Sequence, residues 1–258
     1  MKKINVTIWN EYCHEKLSES VAKVYPKGIH GAIEEKLSEF GKFNIRCATF
    51  DMKDHGLSDE VLNNTDVLIW WGHMKHNEVS DEIAQKIKDR VLNGMGFIAL
   101  HSAHGSKPFK LLMGTSCRVK WRENDEKERV WVIDPSHPIA RNVPEYIEFE
   151  QEETYGEFFD IPIPDELVFM SWFSGGEIFR SGCCYKRGLG KIFFFRPGHE
   201  EYPTYYRDDV TRIIANAVEW ACPNGITKPT MGHVEPLENV KDKFEGKDDS
   251  LRCHTYIK

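Results

Sequence analysis

The chain has 258 residues, of which 40% are hydrophobic and 29% are charged, and its formal net charge is −7. This length and composition suit one large α/β domain or two small ones, and they exclude a largely disordered chain. The acidic balance argues against a nucleic-acid partner, which needs a concentrated basic face, and no apolar run is long enough to span a membrane.

The first hundred residues alternate between strand-like and helix-like segments. Strands are predicted over residues 4–9, 43–50, 66–71 and 97–100, from β-branched or wholly apolar runs. Helices are predicted from residue 17, over 29–40, over 58–62 and from 80 to 92, with Ser58 and Ser80 as caps. This order requires helical crossovers, so the sequence predicts an α/β fold with a parallel sheet and helices on both faces.

The middle of the chain has a different pattern. Residues 117–121 and 129–133 are predicted to form a hairpin or paired strands, and residues 51–57 a loop. Further strands are predicted over 147–150, 167–172, 177–185 and 191–196. An amphipathic helix over 208–221 closes a single domain of residues 1–222, and residues 223–258, rich in Pro, Gly, Lys and Asp, are predicted to be an extended tail.

The N-terminal sequence and the cysteines point to one compartment. The first residues pass directly into strand-like sequence, without the apolar region and cleavage site of a signal peptide. Seven cysteines show neither a C-x-x-C pair nor the spacing of a disulfide framework. We therefore expect a cytoplasmic protein with reduced thiols.

Polar side chains follow four of the predicted strands. Asn10 and Glu11 follow the first strand, with His14 slightly later; the third, fourth and last strands are followed by residues 72–76, 101–104 and 196–201. Six of the 11 histidines lie in these four loops. Ligands bind beyond the carboxyl ends of the strands in open parallel sheets, so the sequence predicts one polar pocket there.

Two interpretations of this pocket stay open. Neutral imidazoles with a carboxylate suit a divalent metal, zinc above all. The candidate metal ligands are His30, His73, His101 and His199, with Glu11 or Glu153 as the carboxylate. Histidines at strand ends also serve as hydrogen-bonding groups or general bases without a metal. The sequence has no H-E-x-x-H motif that would require a metal site.

The turn after the fourth strand has the shape of a nucleophile elbow. Ser102 is the candidate nucleophile there, with His199 and a carboxylate to activate it. Most glycines of the G-x-S-x-G motif are missing, which favours a binding or orienting role for Ser102.

Other residues are assigned to the pocket by their chemistry. Glu153 and Tyr155 either belong to a solvated acidic run or join His101, Ser102 and His199 as catalytic candidates. Aromatic faces beside carboxylates suit a sugar ring, and arginine suits an anionic group or pairs with the excess acid. The candidate substrate-binding residues are Asn10, Glu11, Trp71, His104 and Arg196.

Several motifs together resemble the ThuA-like trehalose-utilisation family over about the first 222 residues. They are Trp-Asn-Glu at 9–11, Tyr-Pro-Lys-Gly-Ile-His at 25–30, Trp-Trp-Gly-His-Met at 70–74, Leu-His-Ser at 100–102, Glu-Glu-Thr-Tyr-Gly-Glu at 152–157 and Arg-Pro-Gly-His-Glu at 196–200. The resemblance implies a three-layer α/β/α sandwich with a mainly parallel, flavodoxin-like sheet, like that of class I glutamine amidotransferases.

The amidotransferases of that fold carry a cysteine on the elbow and an H-x-E dyad on a late strand. Here His199 and Glu201 keep the dyad's spacing, but Ser102 and Ala103 occupy the elbow, which excludes cysteine glutaminase chemistry. The resemblance implies a role in disaccharide catabolism, close to enzymes that oxidise sugars to 3-keto derivatives.

The resulting prediction is a metal-assisted enzyme, isomerase-like or a hydrolase, acting on a disaccharide or its keto derivative. The alternative is a non-catalytic sugar-binding or regulatory partner of a sugar oxidoreductase. No nucleotide cofactor is expected, since G-x-G-x-x-G is absent, and a homo-oligomer is compatible with the extended tail.

Overall fold

The computed structural model describes residues 3–223, 225 and 235–241. The chain divides into two units, Met1–Ile226 and Thr227–Lys258, and every helix and strand given below belongs to the first. The tail predicted over 223–258 lies, apart from residues 223, 225 and 235–241, outside the described residues.

The described strands form a nine-stranded sheet in the order β2-β1-β3-β4-β9-β8-β7-β5-β6. Their bounds are β1 Ile4–Asn10, β2 Phe43–Thr49, β3 Val67–Trp71, β4 Gly96–Leu100, β5 Lys120–Val132, β6 Tyr146–Gly156, β7 Glu166–Phe173, β8 Ile178–Arg187 and β9 Gly190–Phe195. The five strands from β2 to β9 pair in parallel, and those from β9 to β6 pair antiparallel. Strand β9 therefore joins a parallel half of the sheet to an antiparallel half.

Helices cover both faces of the parallel half. Their bounds are α1 His14–Leu17, α2 Glu19–Val24, α3 Gly28–Ser38, α4 Asp59–Asn63, α5 Asp81–Leu92, α6 Lys107–Met113 and α7 Asp208–Ala221. Helices α3 and α7 share one hydrophobic core with the sheet, and α4, α5 and α6 share the other. Strands β3 and β4 are wholly buried because helices lie on both sides of them, which confirms the predicted α/β class.

The two predicted caps behave differently. The Ser58 hydroxyl accepts a hydrogen bond from the Val61 N–H at the start of α4, as predicted. Ser80 precedes α5, but its side chain makes no capping hydrogen bond, so that prediction is wrong in its detail. None of the helices in the described part of the chain has the length and apolarity to cross a bilayer.

The prediction of a hairpin or paired strands at 117–121 and 129–133 is wrong, because the single long strand β5 contains residues 120–121 and 129–132 and runs on between them. Its polar stretch from Arg122 to Lys127 resembles a loop in sequence but continues as strand, with two irregularities in its pairing to β6. The carboxylates of Glu126 and Glu177 hold the Arg122 guanidinium there. Ion pairs between strands thus stabilise this exposed, bulged part of β5. It lacks the alternation of apolar and polar residues by which a strand is predicted from sequence.

Candidate active site

The carboxyl ends of β1, β3, β4 and β9 lie at one edge of the sheet, because these strands are parallel neighbours. The loops that follow them bring together His73, His101 and His199, which we call the histidine cluster. The ring centroids are 6.4 Å apart for His73 and His101, 6.2 Å for His73 and His199, and 5.5 Å for His101 and His199.

His101 occupies the sharp turn directly after β4. Its φ of 50° lies in the left-handed region, which is uncommon for a residue with a side chain and concentrates at functional sites. Its Nδ1 donates a hydrogen bond to the Arg196 carbonyl oxygen at 2.9 Å, so Nε2 carries a lone pair. Burial, reinforced by the nearby Arg196 guanidinium, lowers the pKa of His101 to about 4, so the ring is neutral at pH 7.

Glu153 on β6 faces that lone pair. Its Oε2 lies 3.2 Å from His101 Nε2, both atoms are buried, and neither has a hydrogen-bond partner. Burial raises the pKa of Glu153. Two lone pairs at this distance repel unless a proton or a cation lies between them. The pair therefore fits either a shared proton or a metal ion, and ligand atoms of His101, Glu153 and His199 lie within 4.8 Å of one another.

Glu200 belongs to a second group of potential ligands, with His14 and His73, beside the group of His101, Glu153 and His199. Its Oε1 lies 3.0 Å from His14 Nε2 and 3.4 Å from His73 Nδ1, and its Oε2 lies 3.7 Å from His199 Nε2. Burial opposes its ionisation, but the surrounding imidazoles, led by His73, more than offset this and lower the pKa of Glu200. The same contact raises the pKa of His73 against the effect of burial.

His14 and Glu200 were not among the residues assigned to the site from sequence. The H-x-E spacing directed attention to Glu201, which is exposed, whereas the neighbouring Glu200 is buried in the site. The position of His14 shortly after β1 was a usable signal, because the other histidines of the site also follow strand ends.

The predicted ligand His30 lies elsewhere. Its Nδ1 is 3.0 Å from the amide nitrogen of Asn10, which also donates to Glu15 at 2.7 Å. The His30 ring packs against Tyr12 at a centroid distance of 4.9 Å. Among the described residues, neither group of potential ligands at the histidine cluster includes His30. Asn10 is fully buried in this network, so it supports the loop after β1.

Glu11 was predicted to bind substrate or metal, but its carboxylate is already occupied. It accepts backbone hydrogen bonds from His73 at 2.8 Å, Met74 at 2.9 Å and Lys75 at 2.8 Å, and the residue is 1% exposed. Glu11 therefore shapes the loop that carries His73.

Arg196 and Trp71, also predicted to bind substrate, are both fully buried. The Arg196 guanidinium contacts the carboxylates of Glu128 and Glu152 and donates to the backbone oxygen of Glu153. Trp71 donates through its indole N–H to the Gly198 oxygen at 3.2 Å. Both side chains hold the loop after β9 and cannot touch a ligand in the cavity.

Ser102 does not have the geometry of a nucleophile. Its hydroxyl donates to the Gly72 carbonyl oxygen at 2.8 Å, and the residue is buried. The strained elbow position belongs to His101, one residue earlier. The structure therefore favours the orienting role for Ser102 over the serine-hydrolase interpretation.

A cavity of about 400 Å³ opens beside the histidine cluster. Its inner wall is formed by His73, Ser102, His104, Glu153 and Tyr155, and its outer wall includes Arg118, Trp121 and Glu123. The Tyr155 ring stacks on His101 with centroids 5.4 Å apart. His104 donates through Nδ1 to the Cys117 oxygen at 2.7 Å, which leaves its Nε2 lone pair free. The volume and the mixture of aromatic and polar groups suit a small polar ligand.

A third group of potential ligands, His137, Glu166 and Cys184, lies outside this site. The His137 Nδ1 accepts a hydrogen bond from the Ile139 N–H at 3.1 Å. A neutral imidazole with an accepting Nδ1 carries its proton on Nε2, the atom that faces Glu166. This group is therefore a hydrogen-bonded strut and not a metal site.

Comparisons with known proteins connect this geometry to a family and a fold. The family model described as ThuA, trehalose utilisation, matches residues 5–221. No curated protein matches the sequence. A ThuA-like protein from Parabacteroides merdae superposes with a TM-score of 0.63 at 14% identity, covering 89% of this chain and 93% of that one.

Two further solved structures share the fold. A cytoplasmic protein from Salmonella typhimurium gives a TM-score of 0.56 at 13% identity, with 86% of this chain and 100% of that chain covered. A glutamine amidotransferase from Thermotoga maritima gives 0.54 at 12% identity, with 86% and 99% covered. The amidotransferase-like fold expected from the motifs is thereby confirmed. At sequence identities this low, the similarity supports a shared fold and nothing more.

Proposed function

Because the chain belongs to the ThuA trehalose-utilisation family, we propose that it is a sugar-catabolism enzyme whose histidine cluster and adjoining carboxylates hold a divalent metal ion. Its substrate in this proposal is a disaccharide or the keto derivative of one. A cytoplasmic location and zinc as the metal are parts of the same proposal. The observation that carries it is the pair of unpartnered, buried lone pairs on His101 Nε2 and Glu153 Oε2.

The donor set matches borderline divalent metals. His101 offers an imidazole nitrogen and Glu153 a carboxylate, and His73, His199 and Glu200 adjoin them. The Nδ1 bond of His101 to a carbonyl oxygen is the outer contact that fixes the ring of a metal-bound histidine. When bound, such an ion polarises a carbonyl or the adjacent hydroxyls of a substrate.

Residues of the chain supply the proton transfers. His199 Nδ1 accepts a long hydrogen bond of 3.4 Å from the Glu201 N–H, which places the ring proton on Nε2. His199 thus suits a proton donor, and Glu153, which faces the cavity, suits the group that removes a proton from the substrate. Isomerisation fits best, because a proton leaves the carbon beside a carbonyl and returns at the neighbouring position without a redox cofactor. Hydrolysis is the next reaction class.

The test begins with elemental analysis of the purified protein. We expect zinc or manganese at about one equivalent in the wild type, and its loss in His101→Ala and Glu153→Gln. His137→Ala is the matched control, since it removes a histidine from a group whose geometry does not suit a metal. Turnover of trehalose and its 3-keto derivative, followed by NMR, should fall by at least about a hundredfold in both site variants.

Normal turnover in a chelated sample proven free of metal would contradict the metal role. Sugar binding without turnover in metal-loaded protein would instead support the alternative of a non-catalytic partner of a sugar oxidoreductase.

A further inference from the structure

Trp121 is unusual among the tryptophans because it lines a polar cavity while remaining 64% exposed. Its indole makes no ring stacking or cation–π contact with any described residue. The aromatic face of this side chain, at the mouth of the cavity, is available to stack on a ligand.

The register of the sheet places Trp121 next to the reacting groups. Trp121 on β5 lies directly opposite Tyr155 on β6, so their side chains stand on the same face of the antiparallel pair. Tyr155 in turn stacks on His101. His101, Tyr155 and Trp121 therefore follow one another from the buried end of the cavity towards its mouth.

Two charged side chains flank the indole. Arg118 and Glu123 line the cavity with Trp121 and are both exposed. Neither forms an ion pair within the described part of the chain, unlike Arg122, which Glu126 and Glu177 hold. One donor group and one acceptor group beside an aromatic face are the chemistry that recognises a pyranose ring, with an apolar face and hydroxyls at its rim.

We propose that Trp121, Arg118 and Glu123 form a second sugar subsite that binds the ring not undergoing reaction. The ring stacks on the indole by its apolar face, while the reacting ring lies against His73 and Glu153. This inference rests on the proposed function of the same cavity. In this proposal Trp121 discriminates a glycoside from a monosaccharide. The subsite accepts different sugars as the second ring, because stacking needs only an apolar ring face.

Isothermal titration with trehalose and glucose as probes tests the subsite without any need for turnover or metal. We expect the wild type to bind trehalose more tightly than glucose, and Trp121→Ala to weaken trehalose binding roughly tenfold while changing glucose binding less than about twofold. Trp121→Phe should retain most of the affinity, because an aromatic face remains. Trp172→Ala is the matched control, since Trp172 is also exposed but does not line the cavity.

Three outcomes would overturn the subsite: unchanged trehalose affinity in Trp121→Ala, an equal loss for both sugars, or a wild type that does not prefer trehalose. A protein without metal or turnover that still shows the expected affinity ratio would refute the proposed reaction and leave the subsite intact. Thermal unfolding of each variant checks that the exposed substitutions leave the fold unchanged.

Discussion

The Glu11 carboxylate accepts three backbone N–H groups from the loop that carries His73, at 2.8–2.9 Å. Buried hydrogen bonds to an ionised acceptor are stronger than neutral ones, and a buried donor that loses its acceptor carries the full desolvation cost. The position of His73 in the site is therefore set from β1 as well as from β3.

We predict that Glu11→Gln lowers the free energy of unfolding by about 2–4 kcal/mol, because the new amide places N–H against N–H. Urea denaturation measures this loss. Glu78→Gln, in an exposed ion pair with Lys75 of the same loop, should leave the stability unchanged. Equal stabilities of the wild type and Glu11→Gln would show that the loop is held by other contacts.

At the scale of single residues, the histidine cluster was predictable from the sequence. The direction in which each neighbouring side chain points was not. His73, His101 and His199 were predicted because each follows a strand end, and that reasoning depends on topology alone. Asn10 and Trp71 follow or end strands too, yet both are buried. Whether a side chain near a strand end turns into the core or into the cavity depends on which elements cover it, and no local pattern records this.

At the scale of elements, one buried ion network joins β5, β6 and β9. Arg196, directly after β9, contacts Glu128 on β5 and Glu152 on β6, and all three are fully buried. Burial raises the pKa of Glu128 to about 7, against the opposing effect of the Arg196 guanidinium. One arginine thus faces two buried carboxylates, and Glu128 keeps its proton to a higher pH than an exposed glutamate does.

This network predicts a pH dependence of stability. An acid with a raised pKa in the folded state binds its proton through a range where the unfolded chain has lost it, so stability falls as the pH rises from about 4.5 to about 7. We predict that Glu128→Gln removes roughly 2–3 kcal/mol of that decline, since its amide cannot ionise.

Urea denaturation of the wild type and Glu128→Gln at several pH values between 4 and 8 provides the comparison. Glu148→Gln is the control, because Glu148 pairs with Arg129 on a more open part of β5 and β6. Parallel stability curves for the wild type and Glu128→Gln would show that Glu128 is ionised throughout this range.

The parallel half of the fold was predictable from sequence because its strands are apolar and its helices intervene regularly. The antiparallel half was harder to predict from sequence, as β5 illustrates. Residues 122–127 carry charge on both sides of the strand, and partners distant in sequence, such as Glu177, pair with them. The strand is stabilised by long-range pairing and not by its own alternation of polar and apolar residues.

At the scale of the whole molecule, the histidine cluster and Glu153 come from both halves of the sheet. His73 and His101 follow strands of the parallel half, Glu153 lies on β6 of the antiparallel half, and His199 follows β9 between them. An ion held between His101 and Glu153 would add a further link between the two halves. Its binding energy would then add to the stability of the entire first unit.

We therefore predict that removing the metal lowers the melting temperature of the whole unit in one cooperative step. A ligand at a hundred times its dissociation constant adds about 2.7 kcal/mol, which corresponds to roughly 5–10 °C for a unit of this size. Scanning calorimetry with zinc and then with a chelator measures the shift, which His137→Ala should retain and His101→Ala should lose. An equal shift in His101→Ala would place the bound metal away from the histidine cluster, since that variant removes the nitrogen that faces Glu153.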